Sequence, residues 1–160
     1  MKRLNSRKQI RLKNYNYANV GYYFITICIK NRECILSKIT LNNKNEHIST
    51  LTNEGEIVNR YIIEIEKIYT NVILDEYIIM PNHIHMILII QSNKNITISK
   101  IIQQFKGIIT KELGYSIWQK LFYEHIIRDN EEYIKIKQYI KDNVSNWEDD
   151  IEYKKAQKTP

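Results

Sequence analysis

Two places in this chain carry residue types that could do chemistry together. The first is Met80-Pro81-Asn82-His83-Ile84-His85, which runs on into Met86-Ile87-Leu88-Ile89-Ile90. Pro81 and Asn82 read as a turn, and the branched apolar run after them reads as a strand. Side chains at i and i+2 of a strand leave the same face. His83 and His85 therefore point together, while Ile84, Met86, Leu88 and Ile90 face a core. Two neutral imidazoles side by side are half of a divalent-metal site, because each offers one lone-pair nitrogen. His-x-His alone fits equally well two unrelated structural histidines.

The second place is the segment after Asp129. Tyr133, Ile136, Ile140 and Val144 fall on one helical stripe, and Tyr139 and Asn143 are neighbours one turn apart on its flank. Such a helix could present a phenol and an amide oxygen toward the histidine pair. His83, His85 and Asn143 would then hold a hard cation such as Mg²⁺ or Mn²⁺, with positions left for water and a phosphate. The metal would polarise a scissile phosphate and Tyr139 would attack it. A free tyrosine has a pKa near ~10, so the phenol needs help to ionise at neutral pH, and the sequence names no helper. The chain has 12 tyrosines, so a packing role competes for Tyr139 taken alone. Its pairing with His-x-His is what raises the chemical reading.

The elements that must position these groups follow from periodicity. Tyr22 to Ile29 alternates as a strand, with Thr26 and Cys28 on one face and Tyr23, Ile25, Ile27 and Ile29 on the other. Residues 34 to 50 are mixed, with a short hairpin through Asn42-Asn43-Lys44-Asn45 and His47 placed at the surface. Thr52-Asn53 starts a helix over about 54 to 69, on which Ile57, Val58, Tyr61, Ile62, Ile65 and Ile68 recur at helical spacing. Val72 to Met80 is a strand that forms a hairpin with the histidine strand, about 83 to 90. Ile98, Ile101, Ile102, Phe105, Ile108 and Ile109 give a helix over about 98 to 113, ended by Gly114. Leu121 to Arg128 is the last strand and contains His125. Asp129-Asn130-Glu131-Glu132 then opens a helix over about 130 to 143, with acidic residues where the macrodipole favours them. This order is the split βαβ pattern plus one helix. It predicts an α+β, ferredoxin-like antiparallel sheet with helices mainly on one face and a C-terminal helix that carries the tyrosine.

Composition narrows the partner. A chain of 160 residues with 43% apolar residues is expected to form one globular domain over 1–160, with a basic arm over 1–14 and a charged tail over 147–160. The net charge of +6 and pI near 9.2 favour a polyanion. Lys2, Arg3, Arg7, Lys8, Arg11 and Lys13 crowd the first 13 residues, as a solvated tail or as a DNA-contacting arm. Arg3, Arg7, Lys8, Arg11 and Lys13, with Lys106, are the candidate DNA contacts. Cys28 and Cys34 suggest neither a disulfide framework nor a zinc site. No apolar h-region and no run near ~18 apolar residues is present, so a cytoplasmic protein without a membrane partner is expected.

Several of these segments together resemble the REP-associated tyrosine transposases, single-tyrosine members of the HUH group related to small insertion-sequence transposases. The resemblance runs through Arg11-Leu-Lys-Asn-Tyr-Asn-Tyr17, Gly21-Tyr-Tyr-Phe-Ile-Thr-Ile27, Asn31-Arg32-Glu33 and Met80-Pro-Asn-His-Ile-His85. It continues through Gln104-Phe-Lys106, Ile117-Trp-Gln119, Phe122-Tyr-Glu-His-Ile-Ile-Arg128, and Tyr139-Ile140 with Asn143. It implies His83, His85 and Asn143 as metal ligands and Tyr139 as nucleophile. The implied reaction is cleavage of single-stranded DNA near a REP-like or element-end hairpin, through a 5′-phosphotyrosine and a free 3′-OH. The insertion-sequence relatives act as dimers, and the REP-type N-terminal segment here favours a monomer over a homodimer. Members usually have Pro after the helix Asn, where this chain has Val144, which bears on where the helix ends. His125 is read as structural or DNA-contacting, with a place as third ligand as the alternative.

Two other classes compete. A non-catalytic nucleic-acid-binding module on the same sheet would keep the basic surface, but nothing would hold His83, His85 and Tyr139 in place. A histidine-triad phosphohydrolase needs a third alternating histidine, and position 87 is Ile.

Overall fold

The computed structural model describes residues 20–92 and 95–149. The basic arm, and with it Arg3, Arg7, Lys8, Arg11 and Lys13, lies outside the described residues, as does the tail from 150 on. Among the described residues, six strands and three α-helices follow in order: β1 Gly21–Cys28, β2 Ser37–Leu41, β3 His47–Leu51, α1 Asn53–Ile68, β4 Val72–Ile79, β5 His83–Ile90, α2 Ile98–Leu113, β6 Tyr123–Ile127 and α3 Asn130–Asp142. Four strands form one antiparallel sheet in the order β4-β5-β1-β6, the ferredoxin-like order that the strand–helix alternation predicts. β2 and β3 make a separate hairpin, turned by Asn42 to Asn45, where Asn42 Oδ1 accepts from the Lys44 and Glu46 amides.

Alternation on the central strands sorts the sheet into two faces. Tyr23, Ile25 and Ile27 of β1 and Ile84, Met86, Leu88 and Ile90 of β5 are fully buried on the first face. α1 and α2 cover it with Val58, Ile62, Ile65, Ile101, Ile102, Phe105 and Ile109 in one continuous core. Burial of each such aliphatic side chain contributes roughly 1.5–3 kcal/mol. Each helix starts on a threonine that accepts a backbone N–H: Thr52 from Gly55 and Thr97 from Lys100. Gly55 is required there, since a Cβ on it would lie 1.9 Å from the Leu36 carbonyl oxygen. α2 ends on Gly114 at φ +81, the left-handed cap that glycine adopts without cost to a side chain.

The second face is smaller and, among the described residues, is covered mainly by α3. Ile140, Ile136 and Tyr133 pack on Ile87, Ile127, Phe24, Ile78 and Ile89. Asp129 caps the helix by accepting from the Glu132 N–H at 2.8 Å. At its other flank α3 is tied to β4, where the Tyr133 hydroxyl donates to Asp75 at 2.8 Å and the Lys137 ammonium reaches the same carboxylate at 3.2 and 3.3 Å. Asp75 sits where the β4–β5 register slips between Leu74 and Glu76, and the bulge turns its side chain to the helix.

The structure departs from the sequence expectation at several margins. β6 begins at Tyr123, so Leu121 and Phe122 belong to the preceding loop. Ile68 and Ile108, placed on the apolar stripes, are 58% and 41% exposed because each lies at the edge of its stripe. His47 is half-buried and opens β3, paired with Leu41 of β2. Trp147, assigned to the charged tail, is buried in a single 3-10 turn, Trp147–Asp149. No helix among the described residues is long and apolar enough to cross a membrane.

Candidate active site

The second face carries the polar side chains. β1 and β5 pair so that Thr26 lies opposite His85 and Cys28 opposite His83. The two imidazoles stand 4.5 Å apart between ring centres and are 0% and 4% exposed. Burying two imidazoles is costly unless their nitrogens have partners. His83 Nδ1 lies 2.8 Å from Asn82 Oδ1, and the same Asn82 amide donates through Nδ2 to the Arg32 carbonyl at 3.5 Å. The orientation of that amide makes its oxygen face His83. An amide oxygen can only accept, so Nδ1 carries the proton and Nε2 is left with its lone pair.

That lone pair has no hydrogen-bond partner, and neither has the buried Asn143 Oδ1. Asn143 follows α3 directly, is 3% exposed, and turns its Nδ2 back to the Tyr139 carbonyl at 3.4 Å. Burial pushes the His83 pKa down to about 3, the Arg32 charge pushes it the same way, and the neighbouring Asn143 amide opposes them. His83 is therefore neutral at physiological pH, with its lone pair available. Two acceptor atoms, buried and unpartnered, are what a cation would satisfy, and a set of two imidazoles and an amide oxygen fits a divalent ion. Among the described residues no group of three His, Cys, Asp or Glu side chains gathers, so His83, His85 and Asn143 are a donor set without a described carboxylate.

His85 completes the link to the phenol. Its Nδ1 lies 2.8 Å from the Thr26 hydroxyl and its Nε2 lies 3.4 Å from the Tyr139 hydroxyl. The Tyr139 ring is 5.3 Å from the His85 ring and edge-on to Phe24 at 6.3 Å, yet Tyr139 remains 47% exposed. A half-exposed hydroxyl beside buried metal-competent nitrogens can meet a strand arriving from solvent.

The structure thus brings His83, His85, Tyr139 and Asn143 together. The helix ends at Asp142, and Asn143, which Val144 follows, keeps helical angles. Lys106 lies apart on α2, where its ammonium donates to the Gln119 carbonyl at 2.9 Å over the Phe122 ring, and burial lowers its pKa to about 8. His125 pairs with Glu132 at 2.5 Å, which holds it to the first turn of α3. Four neighbours had no assigned role in the sequence reading: Thr26, Asn82, Arg32 and Trp147, whose ring lies 6.2 Å from His83. Asn82 was legible as part of the turn before the histidines. Thr26 depends on strand register, which no local pattern supplies.

A solved structure of a REP-associated tyrosine transposase bound to a REP hairpin superposes with a TM-score of 0.63 over 81% of this chain and 70% of that one, at 22% identity. The fold is shared with it, as the sequence resemblance implies. A structure from Deinococcus radiodurans aligns at a TM-score of 0.49 and 15% identity over 91% of this chain and 99% of its own, too distant to add support. No family model matches the chain. An uncharacterized protein of Haemophilus influenzae strain Rd is 35% identical over 175 aligned positions, covering 94% of each chain. The chain belongs to the family of that Haemophilus protein.

Proposed function

We propose that the protein is a metal-dependent single-stranded DNA nicking and joining enzyme of transposase type, acting near DNA hairpins through a 5′-phosphotyrosine intermediate. The observation that carries this reading is the Tyr139 hydroxyl 3.4 Å from His85 Nε2, next to the unpartnered His83 Nε2 and Asn143 Oδ1. The hairpin-bound transposase with the same fold supports a hairpin-bearing single strand as substrate. His83, His85 and Asn143 would hold Mg²⁺ or Mn²⁺, which supplies charge to polarise the phosphate and offset the charge that develops on its oxygens.

The residues of the chain do the rest. Tyr139 is positioned by its edge contact with Phe24 and by His85. Its oxygen bonds to phosphorus, the P–O3′ bond breaks, and the leaving oxygen takes a proton to become a free 3′-OH. The phenol proton passes to solvent at the exposed side of the ring, and the 5′-phosphate stays on Tyr139. Attack by a 3′-OH reverses the step and rejoins a strand, with no nucleotide cofactor. Action as a monomer is part of this proposal, with Tyr139 reaching His85 of its own chain. Arg3, Arg7, Lys8, Arg11, Lys13 and Lys106 are proposed to contact the DNA backbone, in keeping with the net charge of +6.

The test is incubation with labelled single-stranded hairpin oligonucleotides and Mn²⁺, followed by a denaturing gel. A covalent adduct that disappears in Tyr139→Phe and in chelator is expected. An adduct that survives in Tyr139→Phe overturns the assignment of the nucleophile. Binding with no adduct, across varied hairpins and both metals, leaves the non-catalytic DNA-binding module in its place.

A further inference from the structure

Phe24 is the hub of the aromatic side chains on the histidine face. Its ring lies stacked on His85 at 5.2 Å and 29°. Two tyrosines stand edge-on to it at the same 6.3 Å, Tyr139 at 81° and Tyr123 at 72°. Strand register puts Tyr123 there. It opens β6 opposite Thr26, and opposed residues of an antiparallel pair share a face. Thr26 is the residue whose hydroxyl meets His85 Nδ1 at 2.8 Å. Tyr123 thus borders the candidate site from the edge of the sheet, since β6 ends the strand order β4-β5-β1-β6.

An exposed ring on an edge strand is ordinary, and a packing role has to be weighed first. Tyr22 shows what packing looks like on this face. It precedes Phe24 by two residues on β1, and its ring meets the Tyr133 ring of α3 edge-on at 5.5 Å. Among the described residues the ring contact of Tyr123 is with Phe24, and Tyr123 stays 51% exposed. Tyr139, the other ring edge-on to Phe24, is open to a similar degree. Two half-open rings therefore share one backing ring, and one of the two is the candidate nucleophile. A single strand that brings a phosphate to the Tyr139 hydroxyl carries unpaired bases on either side of it. Such bases bind by laying their faces on aromatic side chains, with little regard to sequence. The net charge of +6 suits that polyanionic strand better than a neutral apolar partner.

We propose that Tyr123 is a base-stacking residue of this site, taking an unpaired base next to the phosphate that Tyr139 attacks. This rests on the function proposed above and specifies how that site holds its strand. Phe24 backs both rings, so a base seated on Tyr123 sets where the adjoining phosphate meets Tyr139. The contact uses the ring face, which makes the Tyr123 hydroxyl dispensable. Bases of a duplex are already stacked on one another, so the contact selects DNA that is unpaired beside the cut.

The test uses the full chain. The cut is mapped first from the adduct that the wild-type chain forms. Binding is then read by anisotropy in Mn²⁺ with Tyr139→Phe as background, so that no strand is cut. The hairpin oligonucleotides carry an abasic site at one position at a time on either side of the mapped bond. Tyr123→Ile keeps apolar bulk and strand preference without an aromatic face, and it is expected to bind the intact strand about tenfold more weakly. Tyr123→Phe should bind like the parent. At one position the abasic site should cost the parent about the same tenfold and cost Tyr123→Ile less than about twofold, because the base and the ring are then one interaction counted once. Tyr123→Ile that binds like the parent overturns the proposal. So does a loss shared by Tyr123→Phe, or an abasic cost equal in parent and Tyr123→Ile at every position, which is what a merely structural ring would give. Each of these leaves the proposed function standing, since the wild-type adduct has been seen. No adduct from the wild-type chain on any hairpin means that the function reading itself has failed, and the base-stacking role with it.

Discussion

β1 and β5 present two faces built from the same sixteen residues, and those faces follow opposite rules. On the first, Tyr23, Ile25, Ile27, Ile84, Met86 and Leu88 are fully buried under α1 and α2, and packing alone decides what fits. On the second, Thr26, Cys28, His83 and His85 are also buried, though less completely, and His83 Nε2 and Asn143 Oδ1 are left without partners. Buried polar atoms are ordinarily satisfied, and the exceptions ask for an explanation. The difference teaches that the sheet spends its stability on one side and keeps its reactivity on the other, with α3 as a partial cover that leaves its own Tyr139 half exposed.

The sharpest way to test this division is to damage each face in turn. Tyr139→Phe removes a half-exposed hydroxyl whose ring still packs edge-on against Phe24. Adduct formation should fall by at least ~10³-fold, to background, while the thermal midpoint changes little. The mirror experiment is Ile84→Ala, one residue from either histidine and fully buried on the other face. It should cost about 2–5 kcal/mol in a denaturant titration, and the fraction that remains folded should still form the adduct. If Ile84→Ala abolishes chemistry in folded protein, the two faces are not independent.

That division also marks what the sequence could disclose. The first face was legible because alternation on strands and 3.6-residue spacing on helices are local signals. Helix bounds fell within a residue or two for the same reason. His83, His85, Tyr139 and Asn143 were legible as types and spacings, although bringing Tyr139 to His85 is a contact across 54 residues. Thr26, Asn82, Arg32 and Trp147 were not assigned. Each acts through a contact set by register, by a turn with left-handed backbone, or by the path of the chain after α3. None of these leaves a periodic trace in the amino-acid order.

A smaller effect probes the support beneath the histidine face. Asn82→Ala deletes the amide that joins the Arg32 carbonyl to His83 Nδ1. Without it the imidazole can take the other tautomer, with the proton on Nε2, where a metal cannot bind. Partners of this kind typically matter by 10- to 100-fold in metal affinity, roughly, and that loss is expected for Mn²⁺ by calorimetry. Asn82→Asp keeps an acceptor toward Nδ1 and should recover most of it. An Asn82→Ala protein that binds Mn²⁺ like the wild type would mean that His83 is not oriented through this bridge.

The smallest expected effect concerns the acid range, and it separates the faces again because His83 lies on only one of them. Burial and Arg32 hold the folded-state pKa of His83 at about 3, against an ordinary value of 6.5. A depressed basic pKa means that the unfolded chain binds a proton that the folded chain refuses. His83 therefore leaves stability intact above pH 6.5, and stability is lost as pH falls from there toward 3. Between pH 7.5 and 5 this one group should remove about 2 kcal/mol, read as the difference in urea stability of metal-free protein. Other groups titrate as well, so the informative quantity is the change in slope on substitution. In His83→Gln the loss over that window should shrink by the same amount, while a first-face variant such as Ile84→Ala keeps the full wild-type slope on a lower baseline. An unchanged slope in His83→Gln would mean that His83 accepts a proton in the folded state. The neutral, lone-pair-bearing imidazole on which the second face depends would then not be fixed by burial.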